Sequence, residues 1–361
     1  MSEFDVKRID KDTWLRNTFP EWGTWLNEEI RDFPVEKGTF AMWWLGTTGL
    51  WIKSEGGANI AVDFWAGRGR STKQEPPYEQ IRDFQMTRMT GGRTLPPNLK
   101  AYPMVIDPFA VGTMHPVDAL FATDIHDDHI CPYVAAAVLQ NSDAPFVGPQ
   151  LCVDKWISWG VPEERCVVLK PGDSYTVRDT TVHAVESFDR TALITPPPEG
   201  DLRGEDADLD ARMDERAVNF VIETPAGTVY DSGDSHYSDY YFKHGKQFDI
   251  DIALVSYGMN APGTMDKVPA SDCLRIAESL DARVLIPFHH DTWTNQLPDD
   301  HELAMLWDFH KEHLPFSLFL WKTGARYVWP SDRGKMWYRY PQGEPFDYFT
   351  DEPNVPYRSF I

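Results

Sequence analysis

The sequence predicts an α/β protein whose two β-rich halves pack as a four-layer α/β/β/α sandwich behind an N-terminal helical arm. In each half, apolar runs of strand length alternate with segments of helical length, and each half opens with a hairpin-like pair of strands. Several strands also end on aspartate or histidine, as in sheets that carry a site at the carboxyl ends of their strands. We place the arm at residues 1–38 and one sandwich domain at 39–361, with halves at about 39–195 and 216–361 joined by an acidic loop.

The predicted elements follow from hydrophobic periodicity and from turn residues. From Trp14 to Ile30 the arm is helical and dense in bulky side chains, which indicates packing on the body or on a neighbouring subunit. In the first half we predict strands at 39–45, 49–53, 59–63, 117–122, 145–148, 166–169, 175–177 and 181–185, and helices at 132–140 and 150–159. In the second half we predict strands at 218–223, 228–230, 250–255 and 283–287, and a helix at 271–280.

Two segments stand out by their charge. Residues 64–100 carry seven basic and three acidic side chains, a local charge of 7 − 3 = +4 that could guide a small anionic substrate or simply neutralise surface carboxylates. Residues 196–215 are proline-rich and then acidic, which indicates either a mobile loop or lid, or an idle solvated insertion.

The composition favours a large soluble core and limits the partners. The 361 residues are 42% hydrophobic and 25% charged, and a formal net charge of −22 argues against nucleic acid, whose phosphates require a basic surface. The first residues lack the apolar segment of a secretion signal, and no apolar run is long enough to span a membrane. We therefore expect a cytoplasmic protein with no membrane partner. Its scattered cysteines are expected to be reduced thiols: Cys131, Cys152, Cys166 and Cys273.

The residues most suggestive of chemistry form the turn Asp124-Ile125-His126-Asp127-Asp128-His129, between a predicted strand and a predicted helix. Two imidazoles among three carboxylates are unusual, and such a turn can point nitrogen and oxygen donors at one metal. Other predicted strands end near Asp63, Asp189, Asp234 and His289, so one sheet edge would collect them all. Taken singly, each is equally well explained as a capping aspartate or a satisfied core histidine. Together they predict a metal site.

These motifs resemble the metallo-β-lactamase superfamily, and within it the L-ascorbate-6-phosphate lactonase family. The superfamily resemblance rests on Asp-x-His-x-Asp-His at 124–129, Gly-Asp-Ser at 233–235 and Ile-Pro-Phe-His at 286–289. The family resemblance covers nearly the whole chain, including the arm, and rests on residues 18–23, 42–46, 62–65, 188–195, 232–238 and 286–291. A metallo-β-lactamase-like sandwich is therefore the implied fold.

The resemblance implies a centre for one or two divalent ions. The superfamily motif begins with histidine where this chain has Asp124, which puts the occupancy and the metal preference of the first position in question. Because carboxylates predominate, Mn²⁺ is favoured, with Zn²⁺ or Fe²⁺ as alternatives. The implied ligands are Asp124 and His126 for the first ion, Asp128, His129 and His289 for the second, Asp234 between them, and Asp189 where many relatives carry a histidine.

The implied activity is opening of the lactone ring of a phosphorylated sugar acid such as L-ascorbate 6-phosphate. Metal-activated hydroxide would attack the lactone carbonyl, and Asp128 or Asp234 would accept a proton. The candidates to protonate the leaving oxygen are His290, His236 and Tyr257.

The implied partner is a small phosphorylated anion. We predict that Arg190 and Arg216 bind its phosphate and that His236 also lies at the substrate site, although each arginine is equally well explained by an ordinary salt bridge. A homo-oligomer is also expected. Two rival functions remain open: a metallo-phosphodiesterase that uses the same cluster, and a non-catalytic relative with an incomplete cluster whose arm builds an assembly.

Overall fold

Two seven-stranded sheets form the centre of the protein in the computed structural model, which describes residues 4–18, 26–67, 106–110, 116–193, 212–260, 267–290 and 298–338. The described strands are β1 (Phe40–Gly46), β2 (Gly49–Ser54), β3 (Asn59–Val62), β4 (Ala119–Phe121), β5 (Phe146–Gly148), β6 (Cys166–Val168), β7 (Ser174–Val177), β8 (Thr180–Glu186), β9 (Val218–Thr224), β10 (Gly227–Asp231), β11 (Ile252–Ser256), β12 (Val284–Phe288), β13 (Ser317–Leu318) and β14 (Arg326–Trp329).

The order of the strands brings the predicted site residues to common edges. The first sheet runs β14-β1-β2-β3-β4-β5-β6 and the second β13-β12-β11-β10-β9-β8-β7. Parallel pairing of β3 with β4, and of β10, β11 and β12 with one another, aligns the carboxyl ends of these strands. The two sheets divide the chain differently from the two sequence halves. β7 and β8 belong to the second sheet, and β14 returns to pair with β1 in the first.

Alternating side chains of the strands separate the layers. From β1, Phe40, Met42 and Trp44 point into the core between the sheets, whereas Ala41 and Trp43 point to a second core beneath the outer helices. A third core lies between the second sheet and its own outer helices. Helices, two sheets and helices thus follow one another, and the predicted four-layer sandwich is confirmed.

Helices cover the outer face of each sheet. Those described are α1 (Lys11–Thr18), α2 (Leu26–Asp32), α3 (Pro132–Asn141), α4 (Gln150–Ser158), α5 (Arg190–Leu193), α6 (Met213–Arg216), α7 (Tyr241–Gln247), α8 (Ala270–Ser279) and α9 (Asp300–His310). Every predicted strand and the helices α3, α4 and α8 lie close to their predicted bounds, whereas α5, α6, α7, α9, β13 and β14 were not predicted. None of the described helices is long and apolar enough to cross a membrane.

The described part of the arm packs on its own chain. Trp14 of α1 is fully buried, and its Nε1 donates a hydrogen bond to the carbonyl of Ala66 over 2.8 Å. Glu29 of α2 accepts a hydrogen bond of 2.7 Å from Arg326 of β14. The bulky side chain at Trp14 therefore serves the core of the same molecule.

Two sequence predictions fall largely or wholly outside the described residues. All seven basic side chains of the 64–100 segment lie between 68 and 100, and only residues 212–215 of the acidic 196–215 segment are described. Substrate guidance by the first segment and a lid in the second stay predictions.

Candidate metal centre

The turn after β4 is tightly wound and sorts its acidic side chains. The carbonyl of His126 accepts hydrogen bonds from the backbone N–H groups of His129 and Ile130, at 3.0 and 3.1 Å. Asp127 is exposed, and its Oδ1 lies 3.0 Å from Nζ of Lys155. Of the three aspartates in the turn, this one therefore points away from the site.

Four further strand ends carry ligand-type residues to this turn. Asp63 follows β3, Asp189 follows β8, Asp234 follows β10 and His289 follows β12, and each is at most 3% exposed. The turn before Asp234 requires a glycine. Gly233 has a φ of 47°, and a Cβ there would lie 3.0 Å from the hydroxyl oxygen of Thr123.

Asp234 lies at the middle of the cluster. Its Oδ2 is 3.2 Å from Nε2 of His129, and its Oδ1 is 3.3 Å from Nε2 of His289. Asp128 Oδ2 lies 3.3 Å from the same His289 nitrogen. Asp124 Oδ2 lies 3.5 Å from Nε2 of His129. One carboxylate therefore faces two imidazoles, each of which also faces a second carboxylate.

His126 and Asp189 lie at the other side of Asp124. The Nδ1 of His126 is 3.1 Å from Asp124 Oδ1 and 3.8 Å from Asp189 Oδ2. The other oxygen of Asp189 accepts hydrogen bonds from the N–H groups of Thr191 and Ala192 at 2.8 and 3.0 Å. These two bonds fix the carboxylate, so its Oδ2 is the oxygen turned toward His126.

The donor atoms fit a centre for divalent cations. Within each of two groups, the donor atoms lie within 4.8 Å of one another: Asp124, His126, His129 and Asp234 in the first, and Asp128, His129 and His289 in the second. The buried Oδ2 atoms of Asp124 and Asp189 have no hydrogen bond among the described residues, and a cation would satisfy such oxygens. Imidazole combined with carboxylate suits Mn²⁺, Fe²⁺ and Zn²⁺. The structure brings six of the seven predicted ligands into these groups, and the seventh, Asp189, lies at their margin.

The electrostatics of the cluster also favour a cation. Burial opposes protonation of His126, but the carboxylates of Asp124 and Asp189 outweigh it and raise the pKa of His126 to about 10. Burial likewise opposes ionisation of Asp124, yet His126 and His129 hold its pKa at about 2. Burial raises the pKa of Asp189 well above its ordinary value, against the opposing effect of His126. The raised pKa of His126 reports the negative potential of the surrounding carboxylates, which would also attract a metal cation.

Asp63 supports His129 from behind and belongs to neither group. Its Oδ2 lies 2.9 Å from Nδ1 of His129 and accepts a hydrogen bond of 2.6 Å from the Thr123 hydroxyl. Its Oδ1 accepts the Thr123 N–H at 2.7 Å. Because an ionised carboxylate only accepts, Nδ1 of His129 keeps a proton and Nε2 is the nitrogen that can bind a metal. The sequence marked Asp63 as a strand end, but this supporting role needed the structure.

His290 and Tyr257, both predicted acids, have different surroundings. His290 is buried, and its Nδ1 lies 3.1 Å from Oδ1 of Asp300. The other oxygen of Asp300, Oδ2, lies 3.9 Å from Nζ of the buried Lys322. The Tyr257 hydroxyl donates to the carbonyl of Asp299 over 2.9 Å, so its proton is engaged with the backbone. Asp300 and Lys322 escaped sequence reasoning because both lie in or after elements that were not predicted.

The predicted substrate-binding residues separate into exposed and buried positions. Arg190 is exposed at the start of α5, and burial together with the charge of Arg190 lowers the pKa of the half-buried His236 to about 4. Arg216 is fully buried, and its Nη1 donates to the carbonyl of Ala192 over 3.0 Å. Arg216 therefore supports the short helix that Arg190 begins.

Known proteins resemble this chain over most of its length. Residues 97–290 match the β-lactamase superfamily domain. A protein of Escherichia coli O45:K1 (strain S88) named probable L-ascorbate-6-phosphate lactonase UlaG is 51% identical over 360 residues, which are 99% of each chain.

Two solved structures share the fold. An isothiocyanate hydrolase from Delia radicum gut bacteria has a TM-score of 0.55 and 19% identity, covering 80% of this chain and 98% of its own. Igni18, a metallo hydrolase from Ignicoccus hospitalis, has a TM-score of 0.53 and 14% identity, covering 81% and 98%. At these identities the likeness concerns the fold alone.

Proposed function

This chain belongs to the L-ascorbate-6-phosphate lactonase family of the metallo-β-lactamase superfamily, and we propose that it opens the lactone ring of a phosphorylated sugar acid such as L-ascorbate 6-phosphate. The observation that carries the proposal is 51% identity to a probable lactonase across 99% of both chains. The buried cluster of aspartates and histidines supplies the site that such a hydrolase requires.

The proposed metal ligands are those whose donor atoms converge. Asp234 faces both His129 and His289 at 3.2 and 3.3 Å, so its carboxylate would supply an oxygen to each of the two ligand groups. Asp124 and His126 lie on one side of it, and Asp189 extends that side. Because the first position would have more carboxylates than imidazoles, we expect Mn²⁺ there, with Zn²⁺ and Fe²⁺ as the competitors.

Proton transfers fall to side chains of the chain itself. When bound, a divalent cation acts as a Lewis acid that makes water nucleophilic near neutral pH and stabilises negative charge on the carbonyl oxygen. Asp128 and Asp234, each 3.3 Å from Nε2 of His289, are the proposed acceptors of the proton from the attacking water. His290, whose Nδ1 lies 3.1 Å from Asp300 Oδ1, is the proposed donor to the leaving oxygen.

Arg190 is the proposed contact to the phosphate because it is exposed, whereas the buried Arg216 would act by holding α5 in place. A charge-assisted contact of this kind contributes about 1.5–3 kcal/mol. Arg190→Ala is therefore expected to lower kcat/KM for the phosphorylated lactone by about one to two decades and to leave the unphosphorylated parent nearly unchanged. Arg216→Ala is expected to act in the same direction.

Arg178→Ala is the matched control, since Arg178 is an exposed arginine paired with Asp118 at 2.9 Å. The assay compares kcat/KM on both lactones and on a simple phosphodiester. If the wild type does not prefer the phosphorylated lactone, the sugar-phosphate assignment is wrong. If both Arg190→Ala and Arg216→Ala keep the full preference, the phosphate is bound elsewhere. Faster turnover of the phosphodiester would favour a phosphodiesterase.

The remaining proposals concern assembly and location. Met305 and Phe309 lie one turn apart on α9 and are 72% and 83% exposed, an apolar pair that supports a homo-oligomer. Phe309→Asp is expected to reduce the mass measured by light scattering after size-exclusion chromatography. A cytoplasmic location is supported by the cysteines, all four of which are free thiols.

A further inference from the structure

Two loops that carry proposed ligands are joined by one buried hydroxyl. Asp189 lies in the loop after β8, and Ser235 directly follows Asp234 in the loop after β10. The Ser235 Oγ accepts the N–H of Phe188 at 2.8 Å and lies 3.1 Å from the Oγ of Ser187. The N–H of Asp189 in turn donates to Ser187 Oγ at 3.3 Å. Ser235 is fully buried, so these contacts are shielded from water.

Behind Ser235, a chain of polar side chains leads back to the end of β8. Ser235 Oγ donates to Asn219 Oδ1 over 2.7 Å, and Asn219 Nδ2 donates to the Tyr230 hydroxyl over 3.1 Å. That hydroxyl lies 2.8 Å from Nδ1 of His244, whose Nε2 lies 2.9 Å from Oε2 of Glu186. Glu186 is the last residue of β8. The chain of hydrogen bonds therefore begins in the loop after β8, at Phe188, and returns to the end of the same strand.

The hydrogen bonds of this chain run in one direction. An ionised Glu186 only accepts, so His244 carries a proton on Nε2 and accepts at Nδ1. Burial lowers the pKa of His244, which keeps the ring neutral near pH 7. Tyr230 therefore donates to His244 and accepts from Asn219, whose carbonyl oxygen is left to face Ser235. With its own proton committed to Asn219, Ser235 offers lone pairs to the loop after β8. The Glu186 carboxylate thus fixes the direction of each hydrogen bond from His244 to Ser235.

We propose that Ser235, oriented by this chain of hydrogen bonds from Glu186, is a positioning residue. It sets the separation of Asp189 and Asp234 and thereby the affinity of the centre for divalent metal. The inference rests on the metal centre proposed above. Ligand distances in such centres are fixed to about 0.2 Å, so a bond that ties two ligand loops together acts directly on affinity. Groups behind metal ligands typically change metal affinity by about 10–100-fold when they are removed.

The test is a pair of alanine variants in the same turn. Ser235→Ala removes the hydroxyl that joins the two loops. Ser232→Ala is the matched control, because Ser232 is equally buried but its Oγ contacts the carbonyl of Gly233 at 3.1 Å and the N–H of Ser256 at 3.2 Å. Calorimetric titration of metal-free protein with Mn²⁺ is expected to give a Kd about 10–100-fold higher for Ser235→Ala, and a clearly smaller change for Ser232→Ala.

A second variant tests whether the hydrogen bonds behind Ser235 affect metal affinity from a distance. Tyr230→Phe keeps the ring and removes only the hydroxyl between Asn219 and His244, so it is expected to weaken Mn²⁺ binding in the same direction. An unchanged Kd in Ser235→Ala, or equal losses in Ser235→Ala and Ser232→Ala, overturns the proposal. If circular dichroism shows that Ser235→Ala does not fold, the Kd of Tyr230→Phe decides: a higher value supports the proposal and an unchanged one overturns it. A wild type that binds neither Mn²⁺, Zn²⁺ nor Fe²⁺ overturns the metal centre instead.

Discussion

Replacing Asp63 by asparagine tests whether His129 must keep its proton on the nitrogen that faces away from the centre. The buried carboxylate of Asp63 accepts from the Thr123 N–H, the Thr123 hydroxyl and His129 Nδ1 at 2.7, 2.6 and 2.9 Å. Asparagine has the same shape and tolerates the φ of 46° at this position, but one side of its amide donates. If that side faces His129, the proton must move to Nε2, the nitrogen 3.2 Å from Asp234. If it faces the Thr123 N–H, two donors meet there.

Both orientations of the amide therefore damage the support of His129. Loss of a group that orients a metal-binding histidine typically weakens metal affinity about 10–100-fold, or about 1.4–2.7 kcal/mol. We expect Asp63→Asn to raise the Kd for Mn²⁺ by this factor in calorimetric titration. The metal-free protein should also lose about 1–3 kcal/mol of unfolding free energy, because a buried donor is left without an acceptor.

Asp118→Asn is the matched control for the loss of one negative charge. Asp118 Oδ2 accepts the N–H of Asn59 at 3.0 Å, at the opposite end of β3 from Asp63, and its carboxylate pairs with the exposed Arg178. Its Mn²⁺ affinity is expected to match that of the wild type. The reasoning is refuted if Asp63→Asn binds Mn²⁺ as tightly as Asp118→Asn does.

Three further predictions concern the metal and the buried charges. Asp124→His should shift preference from Mn²⁺ toward Zn²⁺ in competition titrations, and an unchanged preference would show that Asp124 is not a ligand. Chelation should abolish lactone hydrolysis and lower the unfolding temperature in calorimetry, with Mn²⁺ at about 100 times its Kd restoring about 2.7 kcal/mol. Asp300→Ala should cost about 3–5 kcal/mol in urea unfolding because Lys322 stays buried without its partner, whereas Asp308→Ala at an exposed pair should cost less than about 1 kcal/mol. Burial raises the pKa of Asp300, but His290 and Lys322 outweigh it and lower the pKa overall. The stability that Asp300 contributes is therefore complete above the ordinary aspartate pKa of about 3.9 and is lost as the pH falls from there through the lowered pKa.

The convergence of the aspartates and histidines could be predicted because strand ends are readable from sequence. Apolar runs that stop on aspartate or histidine mark positions which parallel pairing then brings to one edge, as for Asp234 and His289 after β10 and β12. Side-chain direction was less accessible. Arg216 follows an acidic segment and resembles a surface cation, yet the structure buries it completely beside α5.

Long-range pairing accounts for most of what sequence reasoning missed. β14 adds the edge strand next to β1 by pairing Trp329 with Phe40. No local pattern specifies a partner that lies almost the whole chain away. Asp300 likewise reaches His290 only because α9 packs beside the end of β12. The same holds for Ser235 and Asn219, whose hydroxyl and amide meet across two neighbouring strands of the second sheet. Periodicity predicts an element, but it carries no information on which buried polar groups will meet.

The position of the candidate centre would couple metal binding to the whole sandwich. It lies where the two sheets join: the carbonyl of Thr123, after β4, accepts the N–H of Val218 at 2.8 Å, and the carbonyl of Thr47 accepts the N–H of His289 at 3.0 Å. The turn after β4 supplies proposed ligands from the first sheet, and the loops after β8, β10 and β12 supply the others from the second. Neither sheet holds a complete set alone, so a cation at the proposed centre would bind only the assembled pair and would stabilise both sheets together. Chelation is therefore expected to lower the temperature of one cooperative transition, because the loss of the ion weakens the junction that both sheets share.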